Sequence, residues 1–418
     1  MKGKIWKAVG LFSIVIFMLS VAASAHAASL TTTIATYVTP VGVVYDPAMH
    51  EIFVSNYDSD SIQVISDSTN QQVADISAAL TQYPGPPYNL AYDSAKGEIW
   101  VAASTGVYAI SDATNQVVAN VTTNAPASWG TLTQAAYDPK TGEVFVSYSD
   151  FTGAYTPYIQ VISDSSNTVV ANLTQAAITG IIDDSAKSEI FASQYLDSSG
   201  LSSGNVYVIS AQTNTVTNTI SLGGIPGLEA YDSVKGEIFV ANSIWNSSAP
   251  GGYSYVIDVI SDSTNKIIAT ITVPASVFSG PMAYNPDKGE IYINVGASVA
   301  IISDKTNSVV GTVNTNGTIS ATEGIAYDSG TSTVYAINNP GSLAGYMGSL
   351  AVISDPSSSS SGSSPTPTAT SNTGTPTSTP KVPEFSSPAL ALIAAAFAAA
   401  TLCTVAFARK KQHLDTDK

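Results

Sequence analysis

Seven copies of one four-strand unit predict an all-β chain folded as a seven-bladed β-propeller, with its last blade closed by the N-terminal strand. Three observations carry that expectation. A run ending in Ala-Tyr-Asp or a variant recurs with its tyrosine at Tyr45, Tyr92, Tyr137, Tyr231, Tyr284 and Tyr327. Ile182 is read as the counterpart in the fourth copy, giving spacings of 47, 45, 45, 49, 53 and 43. Each copy then repeats the same short β-prone runs, and the seventh copy lacks its final run while a matching one stands near the start of the chain.

The elements follow in order within each copy. After the Ala-Tyr-Asp strand comes a short turn, often Lys-Gly-Glu, and then an apolar run: IFVSN from Ile52, IWVAA from Ile99, VFVSY from Val144, IFASQ from Ile190, IFVAN from Ile238, IYINV from Ile291 and VYAIN from Val334. Runs this short, rich in β-branched and aromatic residues, are strands. A third strand ends in Ile-Ser-Asp or a variant at Asp67, Asp112, Asp164, Asp262, Asp304 and Asp355, with Ala211 in the fourth copy. Fourth strands are predicted at 72–76, 116–121, 168–173, 215–220, 266–271 and 308–313. For the seventh copy, Thr33-Ile34-Ala35-Thr36 resembles Ile267-Ile268-Ala269-Thr270, so the N-terminal segment is expected to supply the missing strand. An open ring would leave long sheet edges unpaired.

Both ends read as targeting and anchoring segments. Residues 1–27 carry Lys2, Lys4 and Lys7, an apolar run and Ala25-His26-Ala27, the order of a signal peptide, with a signal anchor as the alternative. The propeller is assigned to 28–356 and a Ser/Thr/Pro-rich stalk to 357–383, of which 357–380 has an extended reach on the order of 75 Å. Residues 384–408 include an apolar run long enough for a transmembrane helix, and 409–418 form a basic tail expected on the cytoplasmic side. These assignments place the bulk of the chain on the extracellular face of the cell membrane.

Units such as the one running from Val44 to Ile76 resemble the YVTN-type β-propeller repeat of microbial surface proteins. That resemblance implies a surface or periplasmic scaffold and brings no shared catalytic residues. The motif Pro383-Glu384-Phe385, followed by the apolar run and Arg409-Lys410-Lys411, resembles the PEF-type C-terminal sorting signal of archaeal surface proteins. It implies cleavage near the motif and a lipid anchor; a retained single-pass helix is the alternative.

Between residues 28 and 356, 28 acidic residues face seven lysines and no arginine, a balance of −21. Such a surface argues against nucleic acid as a partner. The single cysteine, Cys403, lies in the apolar C-terminal run, so the exterior can hold neither a disulfide nor a thiolate metal site. His50 is the only histidine outside the two end segments, too little imidazole for zinc, copper or a serine–histidine nucleophile.

Recurring carboxylates at Asp46, Asp93, Asp138, Asp232 and Asp328 suggest acid–base pairs at first sight, but a residue repeated in nearly every blade is expected to serve its turn. Asp58 and Asp60, within Asp-Ser-Asp-Ser, are candidate calcium ligands, with a polar loop as the alternative; no other cofactor is indicated. Asn120, Asn172, Asn246 and Asn316 stand in Asn-x-Ser/Thr sequences and are candidate glycosylation sites.

Insertions follow the second and fourth strands, and antiparallel order puts both loop sets on one face. That face is expected to carry Tyr83, Trp129, Phe151, Tyr155, Tyr195, Trp245, Tyr253 and Tyr346 and no lysine, as a binding surface for a glycan or protein partner; aromatics that merely pack their own loops are the alternative. The leading expectation is a non-enzymatic, membrane-anchored binding propeller. An extracellular hydrolase or lyase using loop carboxylates and a structural coat component stand beside it. Oligomeric state is left open.

Overall fold

The computed structural model describes residues 28–77, 85–104, 106–123, 132–149, 158–174, 178–196, 202–273, 280–317, 324–339 and 347–355. They form seven four-stranded antiparallel sheets, the blades of a propeller. Blade one is Pro40–Asp46, Glu51–Asn56, Ser61–Ser66 and Gln72–Asp75. The first strands of blades two to six are Pro87–Asp93, Leu132–Asp138, Ile178–Asp184, Ile225–Asp232 and Met282–Asn285. Blade seven combines Ile325–Asp328, Thr333–Asn338 and Met347–Ser354 with Ser29–Val38 on its outer edge, so the N-terminal strand closes the ring as expected.

The core is divided into seven apolar clusters, each shared by two consecutive blades, the last between blades seven and one. The aromatic residue of every second strand fills one of them: Phe53, Trp100, Phe145, Phe191, Phe239, Tyr292 and Tyr335 are at most 1% exposed and each packs toward the next blade. Aromatic burial of this size dominates the packing.

Register corrects one reading of the repeat. Tyr45, Tyr92, Tyr137 and Tyr231 pair with the first apolar residue of the second strand, at Ile52, Ile99, Val144 and Ile238. In blade four the residue so paired, with Ile190, is Asp183; Ile182 pairs with Phe191. The tyrosine's counterpart is therefore Asp183, not Ile182. A one-residue slip sends a side chain to the opposite face of the sheet, so the correction changes what meets the neighbouring blade.

Outer strands end the blades with free edges, and each of the six carried after its third strand has a bulge. The skipped residues are Val73, Val118, Val170, Thr217, Ile268 and Val310, and the valines and isoleucine among them are 40–53% exposed. Bulges twist an edge away from edge-to-edge pairing, which accounts for β-branched residues left in water there.

Candidate functional site

The two faces of the ring are built differently. On the short-turn face every first strand ends in a fully buried Asp or Asn whose side-chain oxygen accepts the N–H two residues on: Ala48 to Asp46 at 2.8 Å, Ala95 to Asp93 at 2.9 Å, Lys140 to Asp138 at 2.9 Å, Ala186 to Asp184 at 3.1 Å, Val234 to Asp232 at 2.9 Å, Asp287 to Asn285 at 3.0 Å and Gly330 to Asp328 at 2.7 Å. These carboxylates serve their turns, as the repetition implied.

The aspartates among them also meet a second carboxylate at the seam with the next blade. The Tyr92 hydroxyl is lodged toward Asp46 of blade one and Asp112 of its own blade. Tyr137 donates to Asp164 at 3.1 Å while facing Asp93, Tyr284 to Asp304 at 3.5 Å while facing Asp232, and Tyr45 to Asp67 at 3.2 Å while facing Asp328. Burial and then these carboxylates push the phenols well above the ordinary tyrosine range. Lysines complete several seams from the preceding blade: Lys96 with Asp164 at 3.5 Å, Lys187 with Asp262 at 2.9 Å, Lys235 with Asp304 at 3.3 Å, and Lys288 with Asp355. His50, with its side chain 64% exposed, reaches Asp67 at 3.1 Å. The Ile-Ser-Asp carboxylates thus tie neighbouring blades together, a role that sequence reasoning missed.

Blade four breaks the scheme at its seam with blade three, while Tyr231, Asp184, Asp262 and Lys187 keep it at the seam with blade five. Asp183 replaces the tyrosine and Ala211 the Ile-Ser-Asp carboxylate, so Asp183 meets Asp138; burial and then Asp138 raise it to about 8. At the next seam Glu229, 6% exposed, sits where other blades carry Val43, Leu90 or Met282, over Gly180 and beside Ser193. Burial raises it to about 8.

The opposite face carries what differs between blades. Trp245 and Tyr253 stand there as the last rung of the blade-five hairpin, ring centroids 5.2 Å apart at 84°. Tyr195 lies in the strand Glu189–Leu196. Tyr83, Trp129, Phe151, Tyr155 and Tyr346 lie outside the described residues, as do Pro383, Glu384 and Phe385. Asp58 accepts a hydrogen bond from Thr39 Oγ1 at 2.5 Å, and Asp60 closes the 3-10 turn Tyr57–Ser59 in the left-handed region; both are exposed. Among the described residues no three His, Cys, Asp or Glu side chains are grouped to hold a metal.

Asn120, Asn172, Asn246 and Asn316 are all exposed. Asn316 helps line a cleft of about 380 Å³ with Thr31, Thr33, Thr315, Asn338 and Ser349, between blade six and the closing strand. Among the described residues no helix is long and apolar enough to cross a membrane, and 388–408 lie outside them.

No family model and no curated protein matches the chain. Solved structures do: 1557 chains are similar, among them hydrazine synthase from Kuenenia stuttgartiensis, with a TM-score of 0.59 and 14% identity over 77% of this chain and 97% of that one. At that identity the likeness shows the fold alone.

Proposed function

We propose that the protein is a non-enzymatic binding propeller held on the outer side of the cell membrane, presenting its loop face to a glycan or protein partner. The observation that supports this most is the segregation of the two faces. Described ion pairs and tyrosine–carboxylate seams gather on the short-turn face, while blade-specific polar and aromatic residues gather on the other. The carboxylates that recur from blade to blade are engaged in turns and seams, which supports a structural role for them.

Asp355 ends the last strand of blade seven on the short-turn face, where its N–H donates to Ser332 O at 3.1 Å. We take the loop face, not this one, as the face that meets a partner. The YVTN-type resemblance and the PEF-type anchor agree with the surface placement, and glycans on Asn120, Asn172, Asn246 and Asn316 would stand on the exposed side.

The test is to express the full chain on cells. Lysine-directed labelling with a membrane-impermeant reagent reports exposure, and envelope extracts and glycan arrays report binding. Binding without turnover supports the reading; turnover of a substrate panel favours the hydrolase, and labelling only after lysis removes the surface placement.

A further inference from the structure

The blade-five hairpin carries an aromatic residue that packing does not account for. Its strands, Glu237–Trp245 and Tyr253–Ser261, are nine residues each, against six in blade one and six in the adjoining blade six. The turn between them is held by its own hydrogen bonds: Asn246 N–H to Gly252 O at 2.9 Å, Ala249 N–H to Asn246 O at 3.0 Å, Ser248 N–H to Asn246 Oδ1 at 3.0 Å, and Asn246 Nδ2 to Ser254 Oγ at 2.9 Å.

Gly252, at φ +81°, lies against the indole so closely that a Cβ there would stand 2.7 Å from Trp245 Cζ3. Tyr253 meets the same ring edge to face. With both supports in place, Trp245 is still 68% exposed. A rigidly held indole in water has its ordering cost already met before a ligand arrives, which is what a stacking platform requires.

The surroundings select the ligand. From Ile244 to Ser254 the sequence is Ile-Trp-Asn-Ser-Ser-Ala-Pro-Gly-Gly-Tyr-Ser, without one Asp, Glu, Lys, Arg or His, in a chain of net charge −16. An anionic lipid surface would call for cations here, and a cationic ligand for carboxylates. A protein partner would call for a contiguous apolar patch, and the other strongly exposed large apolar residues of this blade are Val234, in a short turn on the opposite face, and Ile267 and Ile268, at the start of the outer strand Lys266–Thr272. What remains is a flat apolar ring rimmed by amide and hydroxyl groups that both donate and accept.

Resting on the reading of the loop face as the binding face, we propose that this hairpin binds a neutral sugar ring, its C–H face stacked on Trp245 and its hydroxyls bonded to the Tyr253 side chain.

The experiment uses the full chain made in a host without N-glycosylation, so that no sugar on Asn246 competes. The protein is passed over immobilised α-glucan, β-glucan and mannan, with alginate as an anionic control. Retention on at least one neutral polymer is expected, little changed in about 0.5 M salt because no charge pair is involved. Trp245→Ala should lower affinity about tenfold or more, corresponding to about 1.4 kcal/mol, and Trp245→Phe should restore most of it. Equal thermal melts for wild type and variants confirm that the ring is intact.

Retention unchanged in Trp245→Ala overturns the inference while leaving the loop-face reading standing. The inference also falls if no neutral polymer is retained, or if only alginate is. A wild-type chain that binds neither polysaccharide nor envelope extract fails the loop-face reading itself.

Discussion

The two faces of the ring solve different problems with the same seven hairpins. Where the first strand turns into the second, blade after blade reuses an aspartate cap, a left-handed residue such as His50 or Gly97, and a bond back to it from the Ile-Ser-Asp turn, as in Asp67 N–H to His50 O at 3.1 Å and Asp112 N–H to Gly97 O at 3.0 Å. Where the second strand turns into the third, nothing repeats: blade two closes on the Ala103–Gly106 rung, and blade five runs on to Trp245 and Tyr253. Repetition therefore marks residues that hold blades together, and function is to be sought where the repeat lapses.

The comparison is broken most severely by removing the closing strand. Deleting Ser29–Val38 strips blade seven of its outer strand and uncovers the edge of Met347–Ser354. The expected loss is more than about 4 kcal/mol, with aggregation on heating, read by thermal melts and size-exclusion chromatography. A variant that melts like the parent would show that the seven apolar seams suffice for closure.

A single methyl group tests the stitching of one seam. A Cβ at Gly97, whose φ is +66°, would lie 2.5 Å from Asp112 Oδ2. Gly97→Ala should cost about 2 kcal/mol, part backbone strain and part collision. Blade four shows the alternative, since Ser188 occupies this turn position opposite Ala211. Adding Asp112→Ala to Gly97→Ala should accordingly cost less than the two changes summed, by about 1 kcal/mol in a denaturant-based cycle.

Blade number, strand order and ring closure were legible because each repeat states them again, and the aspartate caps were legible for the same reason. The seams were not. Lys96 meets Asp164 and Lys288 meets Asp355 across more than sixty residues, and only the ring brings such pairs together. The Ile182 reading failed because Ile-Ile-Asp-Asp offers two apolar residues to align, and pairing with the second strand, not hydrophobicity, decides the register. Of the eight aromatics expected on the loop face, Trp245 and Tyr253 are the pair the described side chains bring together.

Glu229, on blade five, sharpens the contrast between its seam with blade four and the other seams through pH. Its carboxyl is raised from 4.5 to about 8 by burial, so between those values the folded state holds a proton that the unfolded chain has released. Stability should fall as pH rises through that window, by at most about 1.4 kcal/mol per unit from this group, and level off above it. Glu229→Gln should flatten the slope and raise stability at neutral pH by about 2 kcal/mol. Chemical denaturation at several pH values reads it, and an unchanged slope in the variant would shift the assignment to Asp183.

The smallest effect is expected at the seam between blades one and two, where Met49 stands at the turn position that Lys96 holds in blade two. Asp112 there is raised by burial and then by the facing Asp46, without a lysine partner among the described ion pairs. Met49 is 43% exposed, so a lysine in its place loses little packing and can extend over the seam as Lys96 does toward Asp164. Met49→Lys should therefore stabilise the ring, but by no more than about 1 kcal/mol, because the partly exposed ammonium is screened by water. The sign follows from ionisation: the new cation lowers the Asp112 pKa in the folded state, so the gain is present at neutral pH and is lost as acid protonates the carboxylate. It should also shrink in about 0.5 M salt. Paired thermal melts of parent and variant at neutral and acid pH, each at low and high salt, resolve all three expectations, and a gain that persists in acid would place the new lysine's benefit in packing of its stem and not in the carboxylates beneath it.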